Sequence, residues 1–98
     1  MTLKELKSRT KRIKKLANIY GKVVEKITDE GYEVYDISWA ERGTNKHGQL
    51  DYVSFYAKGL HVTQLPEETH QLTVITVDWK INEDSNKETI NVNIKDGD

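Results

Sequence analysis

The chain has 98 residues, of which 36% are hydrophobic and 32% charged, with a formal net charge of -1 and no cysteine. That length supports one modest core, and the absence of cysteine excludes a disulfide framework and thiolate chemistry. Apolar runs of at most three residues exclude a membrane-spanning helix, and the basic N-terminus lacks the apolar stretch of a signal peptide, so a cytoplasmic location is expected.

The first 21 residues carry Lys4, Lys7, Arg9, Lys11, Arg12, Lys14 and Lys15 against the single acid Glu5, a net +6, while the remaining 77 carry a net -7. Residues 3–19 are predicted as one helix. Thr2 and Glu5 have the spacing of a capping box, and Gly21 is placed for a C-terminal stop. At about 100° per residue, Leu6, Ile13, Leu16, Ala17 and Tyr20 share an arc with Leu3 at its margin. Arg9 falls inside that arc and snorkels out along its stem. Lys4, Lys7, Lys11, Arg12, Lys14 and Lys15 occupy the opposite arc, together with Ile19.

Beyond Gly21 the period changes to two. Val23, Glu25 and Ile27 alternate with Lys22, Val24 and Lys26, which predicts a strand over 22–28, followed by a turn at Asp29-Glu30-Gly31. A second strand, 32–40, places Tyr35, Ile37 and Trp39 on one face and Tyr32, Val34, Asp36 and Ser38 on the other. Aromatics on both faces predict a curved strand packed on two sides. Residues 41–49 form a polar hairpin loop. Strands follow at 50–57 and 60–64, separated by a bend or bulge at Lys58-Gly59, and a connection with a single helical turn is placed at 66–69. Residues 72–81 form a long strand, 82–86 a turn, and 88–95 an amphipathic strand with Ile90, Val92 and Ile94 on one side. The tail, 96–98, is expected to fray. The expected fold is α+β, with an N-terminal basic amphipathic helix and a five- or six-stranded antiparallel meander forming a curled sheet or small open barrel within one domain, 1–98.

The basic arc has the chemistry of a phosphate-contacting surface, since lysines set affinity and position without reading bases. With only Arg9, Arg12 and Arg42, bidentate recognition of guanine is sparsely supplied. The loop 41–49 adds Arg42 and Lys46, beside Asn45 and His47. Tyr52 and Tyr56 share a face with Ser54 and are candidates for base stacking, whereas Trp39 and Trp79 are expected in the core. These residues make a nucleic-acid-binding protein the leading expectation. Three other uses stay open: a solvated helix face, docking on an acidic protein, and an anionic membrane surface, the last disfavoured because the apolar arc lacks Phe and Trp.

No catalytic constellation is visible. His47, His61 and His70 do not repeat at zinc-ligand spacing, and Glu67-Glu68 and Glu83-Asp84 sit in polar turns. No enzyme activity, metal or cofactor is therefore expected. A second function class is a stoichiometric protein-binding inhibitor or adaptor of a mobile-element kind. It would use Asp29, Glu30, Glu33, Asp36, Asp51, Glu67, Glu68, Asp78, Glu83, Asp84 and Glu88 to imitate a phosphate backbone in the channel of a nucleic-acid enzyme. A third is a homodimer or other homo-oligomer joined through the edge strand 88–94. With the apolar arc of the helix packed on the sheet, Ile13 is expected to be buried and Ile13→Ala to cost about 2–5 kcal/mol.

Overall fold

A computed structural model describes residues 2–63 and 72–95. Helix α1 runs over Leu3–Asp29 and is followed by strands β1 (Tyr32–Thr44), β2 (Leu50–His61), β3 (Thr73–Ile81) and β4 (Glu88–Lys95). The strands form one antiparallel sheet in the order β1-β2-β3-β4. The expected α+β order of a helix followed by an antiparallel meander is what the chain adopts. The predicted helical turn at 66–69, the residues Glu67, Glu68 and His70, and the tail 96–98 lie outside the described residues.

The capping box starts the helix as predicted: the Glu5 amide donates to Thr2 Oγ1 at 3.2 Å, and the Thr2 amide donates to Glu5 Oε2 at 3.4 Å. The predicted stop at Gly21 is overturned. The helix continues through residues 22–28, which are helical rather than a strand, and it ends at Asp29, capped by Glu30 and followed by Gly31. There φ is +91°, a region open to glycine, and the Gly31 amide donates to Thr28 O at 2.9 Å. A mid-helix glycine costs about 1 kcal/mol relative to alanine. Val23 and Ile27, both fully buried, each return about 1.5–3 kcal/mol through burial of their side chains, so tertiary packing carries the helix past Gly21. Nothing approaches within 4 Å of a Cβ built at Gly21. Gly21→Ala is therefore expected to stabilise the fold by about 0.5–1 kcal/mol, read as a raised melting temperature. A helix stopping at Gly21 would give the opposite sign.

The buried face of the helix also differs from the predicted arc. Ile19, Val23 and Ile27 are the buried residues, with Leu16 packed beside them. Every residue from Leu3 to Lys14 is exposed, including Ile13 at 67%. Ile19, assigned to the basic arc by the sequence, is 1% exposed because the helix packs apolar side chains on the sheet only from Leu16 onward.

The predicted strands 50–57 and 60–64 are one continuous strand ending at His61. The expected irregularity at Lys58-Gly59 lies on the neighbouring strand. Val34 pairs with Gly59 and Asp36 with Lys58, leaving Tyr35 as the extra residue of a β-bulge. A Cβ on Gly59 would come within 2.3 Å of Glu33 O, so the glycine permits the close approach of the two backbones. The bulge shifts the side-chain phase of β1. Val34 and Ile37 both pack toward the core, while Tyr35 is 50% exposed, correcting the expected shared face of Tyr35, Ile37 and Trp39.

Across the sheet, cross-strand partners form rows on the helix side: Ile37, Ala57, Ile75 and Ile94; then Trp39, Phe55, Val77 and Val92; then Glu41, Val53, Trp79 and Ile90. Trp79 and Phe55 are fully buried. Trp39 is 48% exposed, contrary to expectation, because its strand forms the sheet edge; its ring meets Tyr20 edge-on at 5.9 Å. The small-barrel expectation is also overturned. β1 and β4 are the two edges and do not pair, so four strands leave an open sheet with the helix on one side. The opposite face carries Ser38, Tyr56, Thr76 and Asn93 in one row and Ala40, Ser54, Asp78 and Asn91 in the next, a polar surface without a second layer among the described residues.

Candidate functional site

The exposed first half of α1 presents the basic arc. Lys4, Lys7, Lys11 and Lys14 are exposed, and no ion pair joins them to an acid among the described residues. The other two members of the predicted arc are engaged. Arg12 donates from Nε to Glu41 Oε1 and from Nη2 to Glu41 Oε2, both at 3.1 Å, a fork that matches the carboxylate. The hydrogen bond to Glu41 raises the Arg12 pKa above its ordinary value, slight desolvation opposes this, and the Coulombic attraction of Glu41 adds to it. Both side chains remain about 40% exposed, which keeps the stabilisation small. Lys15 is half-buried, with Nζ 5.8 Å from the centre of the Trp79 ring. The ring nitrogen of Trp79 beneath it is buried without a hydrogen-bond partner among the described residues.

The β1–β2 hairpin tip stands beside this arc. Asn45 Oδ1 accepts from the amides of His47 at 2.9 Å and Gln49 at 3.0 Å, and the Asn45 amide donates to Gln49 O at 2.9 Å. Of the polar hairpin loop predicted over 41–49, residues 41–44 belong to β1, and the remaining tip is built around the Asn45 side chain. Between it and the helix lies a cavity of about 270 Å³, lined by Ser8, Lys11, Arg12, Lys15, His47 and Gln49 among others. Three cationic side chains and a histidine around one hollow form a surface complementary to an anion. Glu83 in the β3–β4 turn flanks it, at 3.8 Å from Lys46 Nζ and 3.5 Å from His47 Nε2. Lys46 therefore belongs to this end of the molecule but already has an acidic neighbour.

Arg42 is carried elsewhere. It lies at a register shift between Glu41 and Gly43 and reaches onto the open sheet face, where Nη2 donates to the Tyr56 hydroxyl and its guanidinium lies 6.0 Å from the ring centre. Tyr52 and Tyr56 do share that face, as predicted. Tyr56 is 42% exposed, while Tyr52 is half-buried under Lys80, whose Nζ is 4.6 Å from the ring centre. The Tyr52 hydroxyl and Ser54 Oγ both donate to Asp78 Oδ1, at 3.2 and 2.9 Å. The predicted site residues thus fall on two surfaces. Lys4, Lys7, Lys11, Arg12, Lys14, Lys15 and Lys46 lie with the helix and hairpin tip, while Arg42, Tyr52 and Tyr56 lie on the sheet face. Lys80 and Asp78, not proposed from sequence as partners of the tyrosines, were signalled only by the alternation of β3.

Among the described residues no cluster of three or more His, Asp or Glu side chains is arranged to hold a metal ion. No helix among them is long and apolar enough to cross a membrane. The chain presents a basic, partly amphipathic N-terminal helix suited to an anionic partner. Comparison with protein-family models, with curated proteins and with solved structures finds no match for this chain.

Proposed function

We propose that this is a non-enzymatic binding protein that contacts nucleic-acid phosphates through the basic arc of α1. The observation that carries the reading is the free state of Lys4, Lys7, Lys11 and Lys14: all four are exposed and none is matched by an acid among the described residues. A helix face whose charges merely answered the acidic part of the chain would have them paired with it. Among the described residues, Arg12 is the one member of that arc so paired. Unpaired lysines on one rigid element suit a regularly charged polyanion, and as mobile point charges they suit binding without base recognition.

The alternative, an inhibitor that imitates phosphates with its acidic side chains, draws less support. Glu83 and Glu88 of that set each lie beside a cation of the same chain, Lys46 and Lys22 respectively. The test is fluorescence titration of labelled duplex DNA, single-stranded DNA and RNA at several salt concentrations. Binding that weakens steeply with salt supports the proposal, and no binding to any of the three at low salt removes it.

A further inference from the structure

We infer that the protein forms an antiparallel two-fold homodimer through a seam on α1 that the described residues leave exposed over most of its length. Leu3, Leu6, Thr10, Ile13, Ala17, Tyr20, Val24 and Ile27 recur at alternating spacings of three and four along the entire helix. That is the repeat of a two-helix coiled-coil seam. Only its last residue is buried in the fold: Leu3, Leu6, Ile13 and Tyr20 are 68, 52, 67 and 36% exposed. At its centre, Ile13, Leu16, Ala17 and Tyr20 with Trp39 of β1 surround an apolar hollow of about 350 Å³.

Charge selects both the occupant's direction and its register. Residues 3–15 hold seven cations against Glu5, a net +6, whereas residues 16–30 hold Lys22 and Lys26 against Glu25, Asp29 and Glu30, a net -1. A parallel copy would lay one +6 half on the other and set Lys7 and Lys14 against Arg9, which like-charge repulsion opposes. An antiparallel copy centred on the first half repeats that conflict, placing Lys7 against Lys14 twice. Sliding the antiparallel copy by one heptad removes most of the repulsion. Residue numbers that face each other then sum to about 30, and each basic half lies on the -1 half of the other copy.

In this register Lys7 lies opposite Gly21 and within reach of Glu25, and only Lys14 meets its own copy, at the two-fold axis. The layers also fit by size. Ile13 of each copy faces Ala17 of the other and enters the hollow beside Trp39, Tyr20 faces Thr10, and Leu6 faces Val24. Large side chains meet small ones at Ile13–Ala17 and Tyr20–Thr10, as interdigitated packing requires. Lys4 and Lys11 project away from the seam and stay open in the dimer, while Lys7 and Lys14 flank it.

Sedimentation equilibrium over a concentration series should show reversible association to twice the chain mass. Ile13→Asp, at a site exposed in the single chain, should keep native helicity by circular dichroism and sediment as a monomer. Because the chain has no cysteine, single-cysteine variants report direction. Lys14→Cys should be joined to its copy by a short bismaleimide. Leu6→Cys should not, since its two copies lie about 27 Å apart along the seam at 1.5 Å per residue. A wild-type monomer at every concentration, a dimer that survives Ile13→Asp, or efficient crosslinking of Leu6→Cys would each overturn the inference.

Discussion

Ile27→Ala should destabilise the protein by about 2–5 kcal/mol, and Ile13→Ala by no more than about 0.5 kcal/mol in dilute solution. Ile27 is fully buried between the last turns of α1 and the sheet, so truncation leaves a cavity as well as losing the transfer free energy. Ile13 is 67% exposed, and shortening it opens no cavity. This reverses the expectation drawn from sequence, which put Ile13 on the buried arc. Urea denaturation of both variants measures the contrast directly, with similar slopes expected because neither change alters the surface exposed on unfolding. Equal losses for the two variants would mean that the first half of the helix packs on the sheet. A negligible loss for Ile27→Ala would mean that residues 22–28 are not docked as described.

Replacing Lys7, Lys11 and Lys14 together by Ala should abolish most of the salt dependence of nucleic-acid binding without unfolding the chain. Four lysines contacting duplex DNA give a slope of about -3.6 in log affinity against log salt, so raising salt from about 50 to 200 mM weakens binding about 150-fold. With only Lys4 left of the four, the slope should fall to about -0.9. The loss should be similar for all sequences, because phosphate contacts carry no base information. The three positions are exposed, alanine favours helix, and removing neighbouring like charges relieves repulsion, so the melting temperature should hold or rise slightly. Titration and melting of the same sample separate the cases. A folded triple variant with unchanged affinity and slope would remove the arc from the interface.

The helix start was legible because a cap is a local device: Thr2 and Glu5 satisfy each other's backbone groups within one turn. The helix end was not. Gly21 and Gly31 are both plausible stops locally, and Val23, Glu25 and Ile27 fit a strand's alternation as well as a helix's fourfold spacing from Ile19. Choosing between them required the apolar surface of β2 and β3 to cover Val23 and Ile27. The same docking event decides which helix face is buried, and it left the more conspicuous stripe around Ile13 outside. In the site, the clustering of lysines was legible from composition and period. That Arg12 is tied to Glu41 was not, because the two are 29 positions apart in sequence. The separation of Arg42 from the arc depends on the register shift beside it, which re-aims the side chain across the sheet.

The sequence by itself determined the charge division between the first 21 residues and the rest, the helix-then-meander order, the alternation of β3 and β4, and the shared face of Tyr52, Ser54 and Tyr56. Each of these follows from composition or from backbone periodicity over a few residues. Only the tertiary structure decided the length and docked face of α1, the fusion of two predicted strands into β2, the open sheet in place of a barrel, and which cations remain free. These depend on burial and pairing between distant segments. Burying Val23 and Ile27 outweighs the cost of a helical Gly21, and four strands with unpaired edges at β1 and β4 leave the sheet open.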